Sequence, residues 1–296
     1  MVVDASRRAD QTTCYVIQNI RDLGIFDHAF KQSYGEGIHY MKQFFWRKRK
    51  AKISEHRNSD RRYFGQGYNR ETKRTEEHRR LDRLMENYLD FDNGVFVEAG
   101  ALDGITASNT LYFENYRGWT GLLIEPVPTY WELCARNRPT AIVENCALVS
   151  NDFASLEIEL LTAVTPENAS GEGRPFSMSS VRGAETHYGD FKSHVDQGLQ
   201  IASLDNSTIK KLVVPTSTLD RLLRKHAIDH IDFFSLDVEG YELEVLRGLS
   251  LDTFLPRYIL LECNVQTVKT QIDEYLIDYY EQVDQLSCHD FLYHAL

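Results

Sequence analysis

VFVEAGALDG, from Val95 to Gly104, is a short apolar run that meets one acidic residue and then two glycines four positions apart. Branched and aromatic side chains at Val95, Phe96 and Val97 suit a buried strand. Gly100 and Gly104 allow the loop that follows to take positive φ, or to let a ligand approach bare backbone. A helix is expected to begin near Thr106, so the loop, Ala101 and Asp103 included, faces a helix N-terminus with Ser108 and Asn109 as donors in its first turn. A small polar ligand carrying a carboxylate fits such a site. A plain strand–loop–helix turn accounts for the same residues.

Working outward, the next apolar run ends in Leu122-Leu123-Ile124-Glu125-Pro126. Glu125 thus stands at the carboxyl end of a second strand, where doubly wound folds use a carboxylate to bind ribose hydroxyls. A dinucleotide site would carry a glycine where this chain has Leu102, because the pyrophosphate needs that space. A nucleoside ligand without a pyrophosphate therefore fits better than a nicotinamide dinucleotide.

Far downstream, Ser235-Leu236-Asp237-Val238-Glu239-Gly240-Tyr241-Glu242 sets two carboxylates between a buried strand and a helix. Asp237 and Glu239 can orient a substrate, hold a divalent cation through oxygen or act as a general base. Helix capping accounts for one of them equally well, and Asp237 is the one favoured at the active centre. His187, His194 and Glu262 complete the set of candidate bases, and Tyr188 can stack on an aromatic substrate.

Around these motifs, strand-like runs at 95–98, 121–125, 141–149, 155–161, 231–236 and 258–262 alternate with helix-like stretches at 110–117, 128–136, 217–226, 241–249 and 268–280. That order implies an α/β domain over residues 91–296, with a mostly parallel sheet and helices on both faces. Residues 163–200 lack a period and read as a long loop or lid. Residues 1–90 read as a helical, partly basic lead-in, a substrate cap or interaction segment. Within it, residues 47–83 hold 14 Lys and Arg against 6 Asp and Glu, a net of +8 on a remainder of −19. This stretch can receive an anionic partner. It also suits a solvated helix and linker, since Glu76, Glu77 and Asp82 interleave with the bases at helical pair spacing.

The 296 residues, 42% hydrophobic and 26% charged, are enough for one large domain or two smaller ones. No run approaches the roughly 18 apolar residues of a membrane span, and no apolar secretory segment opens the chain. A cytoplasmic protein with reduced thiols is expected, because the five cysteines are scattered and form no C-x-x-C pair.

The text FVEAGALDGITASNTLYFENYRGWTGLLIEPVPTYWELCARN, then ENCALVSND, then IDFFSLDVEGYELEVLRGL, resembles the FkbM-type S-adenosylmethionine-dependent methyltransferases over about residues 91–264. The resemblance implies a class I, Rossmann-like methyltransferase fold, with S-adenosylmethionine as cofactor and S-adenosylhomocysteine as product. It implies that Glu98, Gly100 and Gly104, with Ala101, Asp103, Ser108 and Asn109, cradle the methionine end. Glu125 with Pro126 would serve the ribose, and Asn145, Cys146 and Ala147 would flank the adenine. Cys146 is equally a small buried hydrophobe.

Asp237, Glu239 and His187 are the implied catalytic residues, and a divalent metal is left open. Oxygen methylation of a natural-product or sugar-like hydroxyl is expected in the cytoplasm. Carboxyl methylation of a peptide or other natural product is the alternative, with an anionic acceptor met by the basic stretch or by Arg174 and Arg182. A catalytically inactive binding module of the same fold is the further alternative. No membrane or nucleic-acid partner is expected, and the oligomeric state is left open.

Overall fold

A computed structural model describes residues 63–296 apart from 67, 70–73, 76–79, 174 and 187. Most of the expected helical lead-in and of the basic stretch lies outside the described residues, as do His187 and Arg174. Residues 60–296 form one compact unit.

Helix α1 (Leu81–Met85) leads into β1 (Val95–Ala99), α2 (Leu111–Arg117), β2 (Thr120–Ile124), α3 (Pro128–Asn137) and β3 (Ile142–Glu144). The chain then forms β4 (Ala147–Leu148), β5 (Glu157–Ala163), α4 (Pro166–Ser170), β6 (Ser180–Val181), α5 (Phe191–Ala202) and β7 (Ile209–Ser217). It returns through α6 (Leu219–Lys225), β8 (Phe233–Leu236), α7 (Glu242–Leu246), β9 (Tyr258–Glu262), α8 (Gln266–Leu276), β10 (Tyr280–Gln285) and β11 (Asp290–Ala295).

The main sheet has seven strands in the order β10-β11-β9-β8-β1-β2-β3. Only β11 runs against the rest. This is the α/β arrangement of a mostly parallel sheet with helices on both faces expected from the sequence. Period-two alternation sends neighbouring residues to opposite faces. Val97, Leu122, Phe234 and Leu261 pack with α6 and α8 on one face. Phe96, Leu123, Phe233 and Leu260 pack with α1 and α2 on the other. Strands β2 and β3 step away from β1 in one direction and β8 and β9 in the other, so a crevice opens at the carboxyl ends where β1 meets β8.

Several local expectations change. The run 141–149 is two strands in two sheets, because the chain turns at Asn145, whose Nδ2 donates to the carbonyls of Glu125 and Pro126. Residues 209–217 form β7, the strand that joins β4 and β5 in a second sheet of order β4-β7-β5-β6. Lys210, Lys211 and Pro215 had broken its apolar alternation. The helix expected near Thr106 starts at Leu111.

The expected loop at 163–200 holds α4, β6 and most of α5. Asp190 caps α5 by accepting from Ser193 N, Val195 and Leu199 bury one helical face, and Gly198 lets Phe176 and Met178 pack close. Nor is Asp82 a solvated pair former. It is wholly buried and accepts from the backbone N–H groups of Phe64 and Arg83.

Candidate active site

Strand register builds the site. Ala99 stands opposite Ile124 and Leu236, and Leu236 stands opposite Leu261. The residues that follow, Glu125, Gly100, Asp237 and Glu262, therefore form one row across four parallel strand ends. Asp290 extends the row, being paired with Glu262. Gly100 has φ +84°, and a Cβ there would lie 1.8 Å from the carbonyl oxygen of Asp237. Only glycine lets β1 and β8 end this close together.

Behind the row, Glu98 accepts from Ser108 Oγ, Asn109 N and Thr110 Oγ1. Those bonds hold 108–110 outside the helix, which is why α2 begins later than expected. Arg138, fully buried, donates to Gly104 O, Ser108 Oγ and Thr110 Oγ1 and pairs with Glu114. Gly104 (φ +76°) faces this arginine, and a Cβ there would lie 2.7 Å from the arginine Cγ. Both carboxylates beside Arg138 are thus compensated inside the protein.

The crevice is a cleft of about 920 Å³, open solvent at its mouth included. Of the residues expected at the site, Glu98, Gly100, Ser108, Asn109, Glu125, Pro126, Cys146, Ala147, Asp237 and Glu239 line it. Ala101, Asp103, Gly104 and Asn145 do not. Ala101 is buried in the core beside α2, and Asp103 caps its own turn by accepting from Ile105 N and Thr106 N. Asn145 spends its amide on the Glu125–Pro126 backbone, so it shapes the wall from behind.

The second sheet and the segment before β6 supply lining that no motif had flagged, namely Leu160 and Val181 from the strands and Ser177 and Ser179 from the segment. Arg182 is drawn instead to Glu159 on the exterior, at 2.7 Å.

Glu239 sits at φ +57°, unusual for a residue with a Cβ. It is held by its neighbours: Ser180 Oγ donates to its carbonyl, and His194 Nε2 stands 2.9 Å from its Oε2. The capping expected of Asp237 or Glu239 falls to Glu242, whose Oε1 accepts from Val238 N and Gly240 N. Asp237 and Glu239 are thereby left to the cleft.

Burial pushes the Asp237 carboxyl well above its ordinary range, and Glu239 adds to this, while a hydrogen bond with Glu262 opposes it. Burial and then Asp237 push Glu262 up, and the same hydrogen bond raises it further. Both carboxyls are thus shifted toward the protonated form. Burial also raises Glu125, Glu242 and Asp290, each to about 7. The Cys146 thiol rises to about 12, also through burial, which leaves it a neutral apolar surface rather than a nucleophile. Among the described residues, no three His, Cys, Asp or Glu side chains are arranged to hold a metal ion.

Residues 98–291 match the family described as the Methyltransferase FkbM domain. The chain belongs to the FkbM methyltransferase family. It is an S-adenosylmethionine-dependent methyltransferase. Among curated proteins, none matches the chain. Solved structures similar to this FkbM methyltransferase include a precorrin-6y C5,15-methyltransferase from Geobacter metallireducens GS-15, at 11% identity over 72% of this chain and 87% of that one, with a TM-score of 0.34. A human methyltransferase 10 domain containing protein follows at 10% identity over 72% and 78%, TM-score 0.33. A fibrillarin/Nop5p complex gives 12% identity over 69% and 72%, TM-score 0.31. Among the described residues, no helix of the FkbM methyltransferase is long and apolar enough to cross a membrane.

Proposed function

We infer that this methyltransferase acts on a hydroxyl oxygen of a small molecule, natural-product or sugar-like in kind. The observation that carries this is the Asp237 carboxyl at the cleft wall, buried and with its Oδ1 lacking a hydrogen-bond partner within the protein, where an acceptor hydroxyl must lose its proton.

The residues present fit the cofactor. Gly100 offers bare backbone, Cys146 and Ala147 offer a small apolar wall for the adenine, and Asp237 Oδ1 is buried without a hydrogen-bond partner within the protein. A bound ligand commonly satisfies such a group. Glu125 accepts from Leu102 N and Val127 N, and its remaining lone pairs serve the ribose hydroxyls. Bound in the cleft, S-adenosylmethionine supplies an electrophilic methyl group. Asp237 would take the proton of the acceptor hydroxyl as its oxygen bonds to the methyl carbon and the carbon–sulfur bond breaks. Positioning within the cleft contributes most of the acceleration.

Charge favours the hydroxyl over a carboxylate acceptor. Glu98, Glu125, Asp237 and Glu239 line the cleft, and among the described residues no Lys, Arg or His does. An acceptor anion would meet like charge at low dielectric. The test uses methyl-labelled S-adenosylmethionine with a panel of hydroxylated and carboxylated small molecules. Label that survives mild alkali as a methyl ether supports the hydroxyl acceptor. Label released by alkali as methanol identifies a methyl ester and overturns it.

A further inference from the structure

The turn that follows β8 is fastened to the second sheet as well as to its own helix. Ser180 Oγ, in β6, donates to the carbonyl of Glu239 at 3.2 Å, and Glu185 N donates to the carbonyl of Gly240 at 2.9 Å. From α5 the buried His194 places its Nε2 2.9 Å from Oε2 of Glu239, a contact of ion-pair length in which neither ring nitrogen makes an aligned hydrogen bond. Glu239 itself is held in the left-handed region, φ +57°, where glycine would be free of steric cost. A strained backbone that keeps a long side chain at a cleft wall points to a use for that side chain. Beside it Leu160, paired with Val181, and Tyr241 give the cleft an apolar surface. The Ser179 hydroxyl is already engaged by Thr162 Oγ1 and the Phe176 carbonyl. Two positions before Glu239, Asp237 lines the same cleft.

We propose that Glu239 recognises the acceptor by accepting a hydrogen bond from a second hydroxyl beside the one that is methylated, and that His194 is a positioning residue that holds Glu239 at the cleft wall. This role rests on the hydroxyl acceptor proposed above and narrows it to a vicinal diol on an apolar skeleton. A carboxylate only accepts hydrogen bonds, so the group it selects is a donor. Asp237 and Glu239, so close along one turn, offer two acceptors to two neighbouring O–H groups. The hydroxyl facing Asp237 gives up its proton and gains the methyl group. The hydroxyl facing Glu239 keeps its proton throughout, and Leu160, Val181 and Tyr241 receive the carbon skeleton.

The full-length protein is tested with methyl-labelled S-adenosylmethionine on matched pairs of acceptors, catechol with phenol and trans-1,2-cyclohexanediol with cyclohexanol. Each diol is expected to be used with a kcat/KM about tenfold or more above that of its partner, the size of effect expected for a hydrogen bond to a charged group. Glu239→Gly should abolish the preference by raising the diol KM about tenfold with kcat unchanged, the mark of a lost binding contact. Its affinity for S-adenosylhomocysteine, read by calorimetry, should match that of the parent. Its melting temperature should not fall, because glycine suits the left-handed backbone. His194→Leu should raise the diol KM in the same way, and His194→Gln should recover much of the loss, because its amide can donate to the Glu239 carboxylate.

Equal use of each diol and its partner by the parent protein overturns the proposal and leaves the hydroxyl acceptor standing. So does transfer to neither diol, or a parent-like diol KM in Glu239→Gly. Weakened S-adenosylhomocysteine binding in Glu239→Gly overturns it too, by placing Glu239 against the cofactor. His194→Gln behaving like His194→Leu overturns the positioning role. Methyl ester formation in the panel of hydroxylated and carboxylated molecules is a different result, because it overturns the hydroxyl acceptor as well.

Discussion

Asp237 and Glu262 stand side by side at the carboxyl ends of two adjacent parallel strands, and burial holds both carboxyls well above their ordinary range. Parallel pairing brings them together, because each follows the last residue paired between the two strands, Leu236 with Leu261. Two carboxylates so close inside the protein cannot both ionise at neutral pH without large cost. At most one of them is charged at a time, and a charged one is what a proton-abstracting group needs.

Asp237→Asn keeps the shape of the side chain and removes its charge. On a hydroxyl acceptor kcat is expected to fall by roughly 100-fold or more. S-adenosylhomocysteine affinity should stay near that of the parent, which separates a catalytic loss from a collapsed cleft. Steady-state kinetics together with calorimetry check this. A parent-like kcat would transfer the proton-accepting role to Glu239 and its partner His194.

Glu125→Ala removes a buried carboxyl that binds two backbone N–H groups, Leu102 and Val127, at the turn where β2 enters the cleft. Cofactor affinity is expected to weaken by about 1–3 kcal/mol, the range for losing a charge-assisted partner. Stability should fall as well, because both N–H groups lose their acceptor. Unchanged affinity in a folded variant would mean that the ribose lies elsewhere.

Much of the central architecture is legible in the sequence because its cause is local. Val95 to Gly104, Gly121 to Pro126 and Ser235 to Gly240 each join a buried strand to a polar turn, and parallel register does the rest. The parts that are not legible depend on distant partners. Arg138 sits at the end of α3 with no motif around it, and only the folded chain shows that it compensates Glu98 and Glu114. The strand β7 is disguised by its lysines and proline, and α5 by the glycines and serines before it. Glu242 stood in the quoted motif, but an acidic residue's own spacing does not reveal whether it caps a turn or faces a ligand. Asp290 enters the row only through the β10–β11 hairpin, which the sequence had not suggested.

Arg138→Met tests the buried ion network apart from the cleft chemistry. The thioether matches much of the stem, so the main loss is charge. Glu98 and Glu114 are then left uncompensated, and breaking a buried pair in this way typically costs about 3–5 kcal/mol. Urea denaturation should detect that loss. Adding Glu114→Gln should recover part of it, since one of the stranded charges is removed. Additive destabilisation in the double variant would show that Arg138 acts through packing against Phe96 alone.

Stability should depend on pH in a direction set by buried acids. Burial raises Asp82 from 3.8 to about 7 against the opposing hydrogen bonds of Phe64, Gly65 and Arg83. Its folded pKa lies above its unfolded one, so the native state keeps a proton that the unfolded chain releases. The stability this provides is fully present below about pH 4 and is lost as the pH rises toward 7. Glu125, Glu242 and Asp290, raised in the same sense, add to the trend. Asp82 is the cleanest single test because it lies in α1, outside the lining of the cleft. Between pH 5 and 7 the parent protein should lose up to about 1.4 kcal/mol per pH unit through this one group. Asp82→Asn cannot ionise, and its amide oxygen can still accept from Phe64 N. Its unfolding free energy, measured in urea at pH 5, 6, 7 and 8, should therefore fall less steeply than that of the parent. Parallel slopes for the two proteins would mean that Asp82 is already ionised in the native state at pH 5.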